Sequence, residues 1–239
     1  MSYVAVVLVV GLIVAIHECG HLLAAKLCGI PVQRFSMGFG PKVLEFKHAE
    51  TSYWLSWIPL GGYVLPAIGP DDFRELPAYK RITFALGGPM ANVIAAFMGL
   101  FLLGLAQFDL AVSGATWFAV TQLWTGLQQQ IAGLSALFAD VEQLSGIVGI
   151  VAIGGAQFGS TLGSLLTFSV LINLSLAVLN LLPLPPLDGG RILFCVLEKI
   201  YRPVIRVEVP LTVVGWTMVW GLMVYVTVQD VGRIWSSAA

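Results

Sequence analysis

Charge is scarce in this 239-residue chain: Asp, Glu, Lys and Arg together make up 10% of it, where soluble domains average roughly 25%. With 58% hydrophobic residues and a mean hydropathy of +0.89, that shortage excludes an ordinary soluble domain and identifies an integral membrane protein. Cysteine is scarce as well. Cys19, Cys28 and Cys195 are odd in number and lack paired spacing, which argues against a disulfide framework and against a four-cysteine zinc site. The net charge is −1 and no basic patch interleaved with aromatics occurs, so no nucleic-acid partner is expected. Histidine is scarcest of all, with 3 residues, and two of them stand four apart.

What the chain does have is long apolar runs. Windows near the length of a bilayer crossing fall at residues 3–23, 82–106, 162–182 and 211–228, predicting about four transmembrane helices. Seven of the 12 Lys and Arg lie between the first two spans and four between the last two, whereas Gln107 to Thr161 holds none. The positive-inside rule then puts both termini outside and the two basic segments in the cytoplasm. A signal peptide is a poor reading of the first 25 residues, because no positive n-region precedes the apolar run. On the outer side, residues 113–158 begin with apolar residues at helical spacing and glutamines between them, the pattern of an amphipathic interfacial helix. The run Gly146 to Phe158 is too short and glycine-rich to span, and reads as interfacial or buried.

Inside the first span lies His17-Glu18-Cys19-Gly20-His21. On a helix, residues i and i+4 stack one turn apart, so His17 and His21 offer two imidazoles to one cation. In the H-E-x-x-H arrangement the histidines hold Zn²⁺ and the glutamate between them is the general base. Composition alone would produce the pattern about once in a thousand such chains. The competing structural reading, a polar helix contact with Glu18 paired to a distant cation, is weaker, since ionisable groups at membrane depth default to function. Cys19 points to another face of the helix and reads as packing. His48 lacks a partner at ligand spacing and reads as a solvated loop residue.

Catalytic zinc has three protein ligands and an open position, so two histidines need a third partner. Asp188 is the best candidate. It follows Leu182-Pro183-Leu184-Pro185-Pro186-Leu187, where prolines interrupt helical hydrogen bonding, and precedes Gly189 and Gly190, which permit unusual dihedrals. Together they can aim a carboxylate back at the bundle centre; an ordinary helix-ending turn is the alternative. Residues 32–65 change period, with β-branched or aromatic runs at residues 42–46 and 52–58 around a polar turn, a β-hairpin signal. That hairpin either dips toward the active site or lies in the interface anchored by Trp54 and Trp57. Asn92, in the small-residue-rich second span, is a polar group in need of a partner.

These motifs resemble the site-2 protease family of intramembrane zinc metalloproteases. His17 to His21 pairs with Asn180-Leu-Leu-Pro-Leu-Pro-Pro-Leu-Asp188-Gly189. Three further stretches, residues 34–41, 58–64 and Gly88-Pro89-Met90-Ala91-Asn92, are similar to the bacterial branch that cleaves anti-sigma factors and signal-peptide remnants. The resemblance implies one Zn²⁺ per chain held by His17, His21 and Asp188, with Glu18 as general base. It implies that Asn180, with Asn92 and Gly189 in support, helps to bind the substrate, and that the β-hairpin receives the unwound substrate as an added strand. It also implies a bacterial inner-membrane location, and the orientation set by Lys and Arg puts the active site toward the cytoplasm. The chain departs from that branch between the second and third spans, where the segment is too short and apolar for a PDZ domain. Ser145-Gly146-Ile147-Val148-Gly149 also stands where the branch tends to have Gly-Pro.

The expectation is therefore one membrane-embedded metalloprotease domain over residues 1–239, helical apart from a membrane-associated β element. Its partners are a transmembrane protein substrate, the lipid bilayer and a regulatory membrane protein in place of the PDZ filter. A zinc transporter or a non-proteolytic zinc protein is the alternative. A transporter would need more spans and a second set of metal-binding residues.

Overall fold

The structure is a computed structural model that describes residues 3–139, 149–152, 154 and 161–238, with side chains described for all of these but 59–60, 135–139, 234 and 236–238. Helix α1, Tyr3–Leu27, runs one turn beyond the expected span. Gly29, at φ 65°, ends it. The Gly29 amide bonds the Lys26 carbonyl at 3.1 Å and the Ile30 amide bonds Ala25 at 2.8 Å, the paired closure of a Schellman motif.

Strands β1, Val32–His48, and β2, Thr51–Pro66, form an antiparallel pair that reaches well beyond the runs at residues 42–46 and 52–58. Both fold back on themselves. Residues 34–37 of β1 are matched by Leu65–Gly62 on one side and by Ser52–Leu55 on the other, while Lys42–His48 pair with Ser56–Thr51. Gly38, Gly40 and Gly61 all take φ between 87° and 104°, the left-handed region that lets the chain bend here. Ser36 is fully buried, its Oγ within 3.2 Å of that of Ser56. His48 lies exposed beside the turn and stacks on Phe46, as expected of a loop histidine.

After the short α2, Pro70–Glu75, come α3, Ala78–Ala106, α4, Val112–Ala139, and α5, Leu162–Asn180. The chain then turns through the prolines into α6, Asp188–Ile200, a 3-10 turn at Arg202–Val204, and α7, Ile205–Ala238. Among the described residues, four helical stretches are long and apolar enough to cross a membrane: Tyr3–Leu27, Ala78–Ala106, Leu162–Asn180 and Arg202–Arg233. The last extends well beyond the expected 211–228, because Arg206, Glu208 and Asp230 sit on a continuing helix that apolar windows truncate. The expected apolar run at residues 146–158 lies mostly outside the described residues.

Two packing arrangements position the site. Helices α1 and α3 meet through small residues, Gly20 facing Gly87 and Ala91, so the backbones approach too closely to admit a Cβ at Gly20. Farther along, Ala96, Leu100 and Leu103 of α3 pack with Ala119 of α4 and with Val170 and Leu174 of α5. Gly104 lets Ala115 come close, and Gln130 accepts a hydrogen bond from Ser175 at 3.1 Å. The amphipathic helix expected from residue 113 thus presents its apolar stripe to α3 and α5.

Candidate metal centre

His17 and His21 lie one turn apart on the face of α1 that meets α3, and both are buried. Opposite them Gly88 removes a side chain: a Cβ there would lie 2.6 Å from both Cε1 and Nε2 of His17 and would strike His21 Nε2. The rings therefore occupy a cradle that α3 forms only with glycine at this position. His21 Nδ1 donates to the Phe84 carbonyl at 2.8 Å, which leaves its Nε2 lone pair free to face the cradle.

Asp188 completes the group as the first residue of α6, buried like the histidines. Its position depends on close backbone packing after the proline turn. Gly189 sits against the carbonyls of Leu181 and Leu182, and Gly190 against that of Leu184, where a Cβ would lie 2.6 Å from the oxygen. Asp188 Oδ2 is 3.3 Å from Nε2 of His17 and 3.3 Å from Nε2 of His21, and the two Nε2 atoms are 3.2 Å apart.

These distances can be tested against a metal. Corners of a tetrahedron with bonds of about 2.0–2.1 Å lie about 3.3–3.4 Å apart, which matches the three atoms closely. Three lone-pair-bearing atoms converging in a buried site repel one another unless they share a cation. The group can therefore hold a zinc ion and leave a fourth corner open. Among the described residues it is the one cluster of three such ligands.

Glu18 follows His17 and stands three residues before His21, so it flanks the same face. The end of β2 reaches it: a Cβ at Gly62 would lie 2.8 Å from Glu18 Cγ and 2.7 Å from the Ser36 carbonyl. The end of β2 thus lies against α1 beside the histidine pair. Cys19 is exposed and outside the group.

The remaining expected residues fall around rather than in this cluster. Asn92 is fully buried one turn beyond Gly88, and neither of its amide atoms has a hydrogen-bond partner among the described residues. Asn180 ends α5 with its amide donating to its own helix at Leu176, 3.0 Å away. Gly189 serves the packing that presents Asp188. Sequence reasoning missed Phe84, which acts through its backbone. Gly88, which the sequence shows as part of a family-like stretch, makes room for the imidazoles.

Comparison with known proteins agrees with this geometry. Residues 5–224 match the model of peptidase family M50. A protein of Fusobacterium nucleatum that bears a zinc metalloprotease name is 25% identical over 304 residues, covering 84% of this chain and 89% of its own. One from Campylobacter jejuni, similarly named, is 25% identical over 347 residues, covering 98% of this chain and 94% of its own. That alignment is longer than the 239-residue chain itself, so the relative carries residues with no counterpart here. A third, from Nostoc, is 33% identical over 172 residues, covering 68% of this chain and 45% of its own.

Proposed function

The chain belongs to peptidase family M50, and from that premise we propose how this multi-pass intramembrane zinc metalloprotease works: His17, His21 and Asp188 hold the metal and Glu18 is the general base. The observation that carries the reading is the convergence of two imidazole nitrogens and one carboxylate oxygen at 3.2–3.3 Å beside Glu18. Held there, Zn²⁺ supplies Lewis acidity toward water and the scissile carbonyl. Glu18 takes a proton from the attacking water and passes it to the leaving amine. The Phe84 carbonyl keeps His21 oriented through its bond to Nδ1, which turns Nε2 toward the metal.

The substrate is a transmembrane protein cut in or near its spanning segment. A helical peptide bond is shielded by its own hydrogen bonds, so the segment must unwind before attack. Pairing with the end of β2, which borders Glu18 at Gly62, replaces the bonds it loses. Asn180 at the end of α5 helps to hold the unwound chain. The clustering of Lys and Arg supports termini outside and a site near the cytoplasmic face of a bacterial inner membrane, with water arriving from that side. With no PDZ domain, residues 113–158 are left to screen substrates, alone or with a membrane partner. A transporter is disfavoured, since an ion path needs further metal stations and the described residues hold one cluster.

The test is Glu18→Gln in purified protein with a single-span substrate. Cleavage is lost while one zinc per chain is retained. Persistent hydrolysis by this variant would remove Glu18 from the mechanism.

A further inference from the structure

A cavity of about 390 Å³ shares two lining residues, Phe84 and Arg191, with the surroundings of the metal ligands: the Phe84 carbonyl holds His21 and Arg191 stands 4.0 Å from Asp188. Phe84, whose carbonyl holds His21, forms one side. Val64, two residues on from the Gly62 that borders Glu18, forms another. Arg191, three residues after Asp188 on α6, closes a third, and Arg74, Arg81 and Glu208 complete the polar lining.

The charges in this lining are unequal. Arg81 is committed to Glu198 at 2.7 Å, and Arg74 is shared between Asp71 at 3.3 Å and Glu208 at 3.6 Å. Arg191 has a weaker tie: its Nη1 is 4.0 Å from Asp188 Oδ1, while Oδ2 of the same carboxylate faces the two histidines. When Asp188 serves a metal, Arg191 is left as the guanidinium with the least compensation. Its side chain is 56% exposed, so it stands at the mouth of this partly apolar cavity, where a guanidinium favours an anion and its planar fork matches a carboxylate. An extended peptide lying along the end of β2 turns alternate side chains to one face. A residue two to four positions from the scissile bond would thus enter the cavity past Val64 and Phe84.

We propose that this cavity is a specificity pocket for an acidic substrate side chain, Glu or Asp, on the inner side of the scissile bond, its carboxylate paired with Arg191. The proposal rests on the protease reading above. The lining by Val64 of β2 and by Phe84 and Arg191, which touch the metal ligands, favours a substrate residue over an anionic lipid headgroup as its occupant.

The test uses the full-length zinc-loaded protein in nanodiscs and a single-span substrate whose cleavage position has been mapped. Glu, Gln or Lys is placed in turn at the four positions on the inner side of that bond. At one position Glu is cleaved with about threefold higher kcat/KM than Gln, the range expected of one part-exposed charge pair. Arg191→Gln, with zinc content verified, brings that ratio to about one, and Arg191→Glu shifts the preference to Lys. Equal cleavage of the three substrates by wild type at every position overturns the pocket and leaves the protease reading standing. Cleavage of none overturns that reading and the pocket with it. If Arg191→Gln acts equally on Glu and Gln substrates and its effect follows phosphatidylglycerol content, the cavity is a lipid site and the proposal fails.

Discussion

Replacing Gly88 with Ala adds one methyl group at the point where α3 faces the two imidazoles. The new Cβ would lie 2.6 Å from His17 Cε1 and Nε2 and would overlap His21 Nε2. Non-bonded carbon and nitrogen atoms settle at about 3.5–4.0 Å, so the rings must retreat by about 1 Å. Metal–ligand distances tolerate about 0.2 Å. The displacement exceeds that severalfold, so at least one imidazole leaves the coordination sphere. Outer-shell changes that leave the ligands in place already weaken metal binding 10- to 100-fold, and loss of a ligand should cost about 100-fold or more. The assay is zinc competition against a chromophoric chelator on purified protein, with helicity checked by circular dichroism because overpacking also costs about 1–3 kcal/mol. Gly133→Ala is the control, since a Cβ there meets nothing within 4 Å. A helical Gly88→Ala protein that binds zinc within about threefold of wild type would refute the cradle.

Two further outcomes follow from the packing. Gly20→Ala drives a methyl into the Gly87 carbonyl and Ala91, and should lower stability by about 3 kcal/mol or more, seen as an earlier thermal unfolding midpoint in detergent; an unchanged midpoint contradicts the close helix contact. Asp230, buried on α7, accepts the Gly149 amide at 2.8 Å. Asp230→Ala should cost about 1.5–3 kcal/mol and speed limited proteolysis near residue 149, whereas Asp230→Asn, which keeps an acceptor oxygen, should lose less.

Much of the centre was legible in the sequence because it rests on local rules. His17 and His21 declare themselves by helical spacing, and Asp188 by the prolines that break the helix before it. The glycine pair after Asp188 was legible as conformational freedom, but its work is close approach to the Leu181, Leu182 and Leu184 carbonyls. The sheet was half legible: residues 42–46 and 52–58 stand out as β-branched or aromatic runs, whereas the ladder between residues 32–37 and 62–66 lies next to glycines at 38, 40, 61 and 62 that interrupt the pattern. Those glycines allow the bend that brings Gly62 to Glu18. The Phe84 carbonyl could not be read at all, since any residue supplies a backbone oxygen and only the α1–α3 packing selects this one. Arg191 looked like one more inner-side positive charge until the fold set it between Asp188 and a cavity.

The central claim is that two histidines and one aspartate, brought together by α1, α3 and α6, form a single zinc site. Zinc-edge X-ray absorption on the purified protein tests it most directly. The account predicts a shell of nitrogen and oxygen at about 2.0–2.1 Å with the outer scattering of two imidazoles, and a loss of bound zinc in Asp188→Ala. A sulfur shell at about 2.3 Å, which would bring in Cys19 or Cys28, or a spectrum without imidazole scattering, would contradict it.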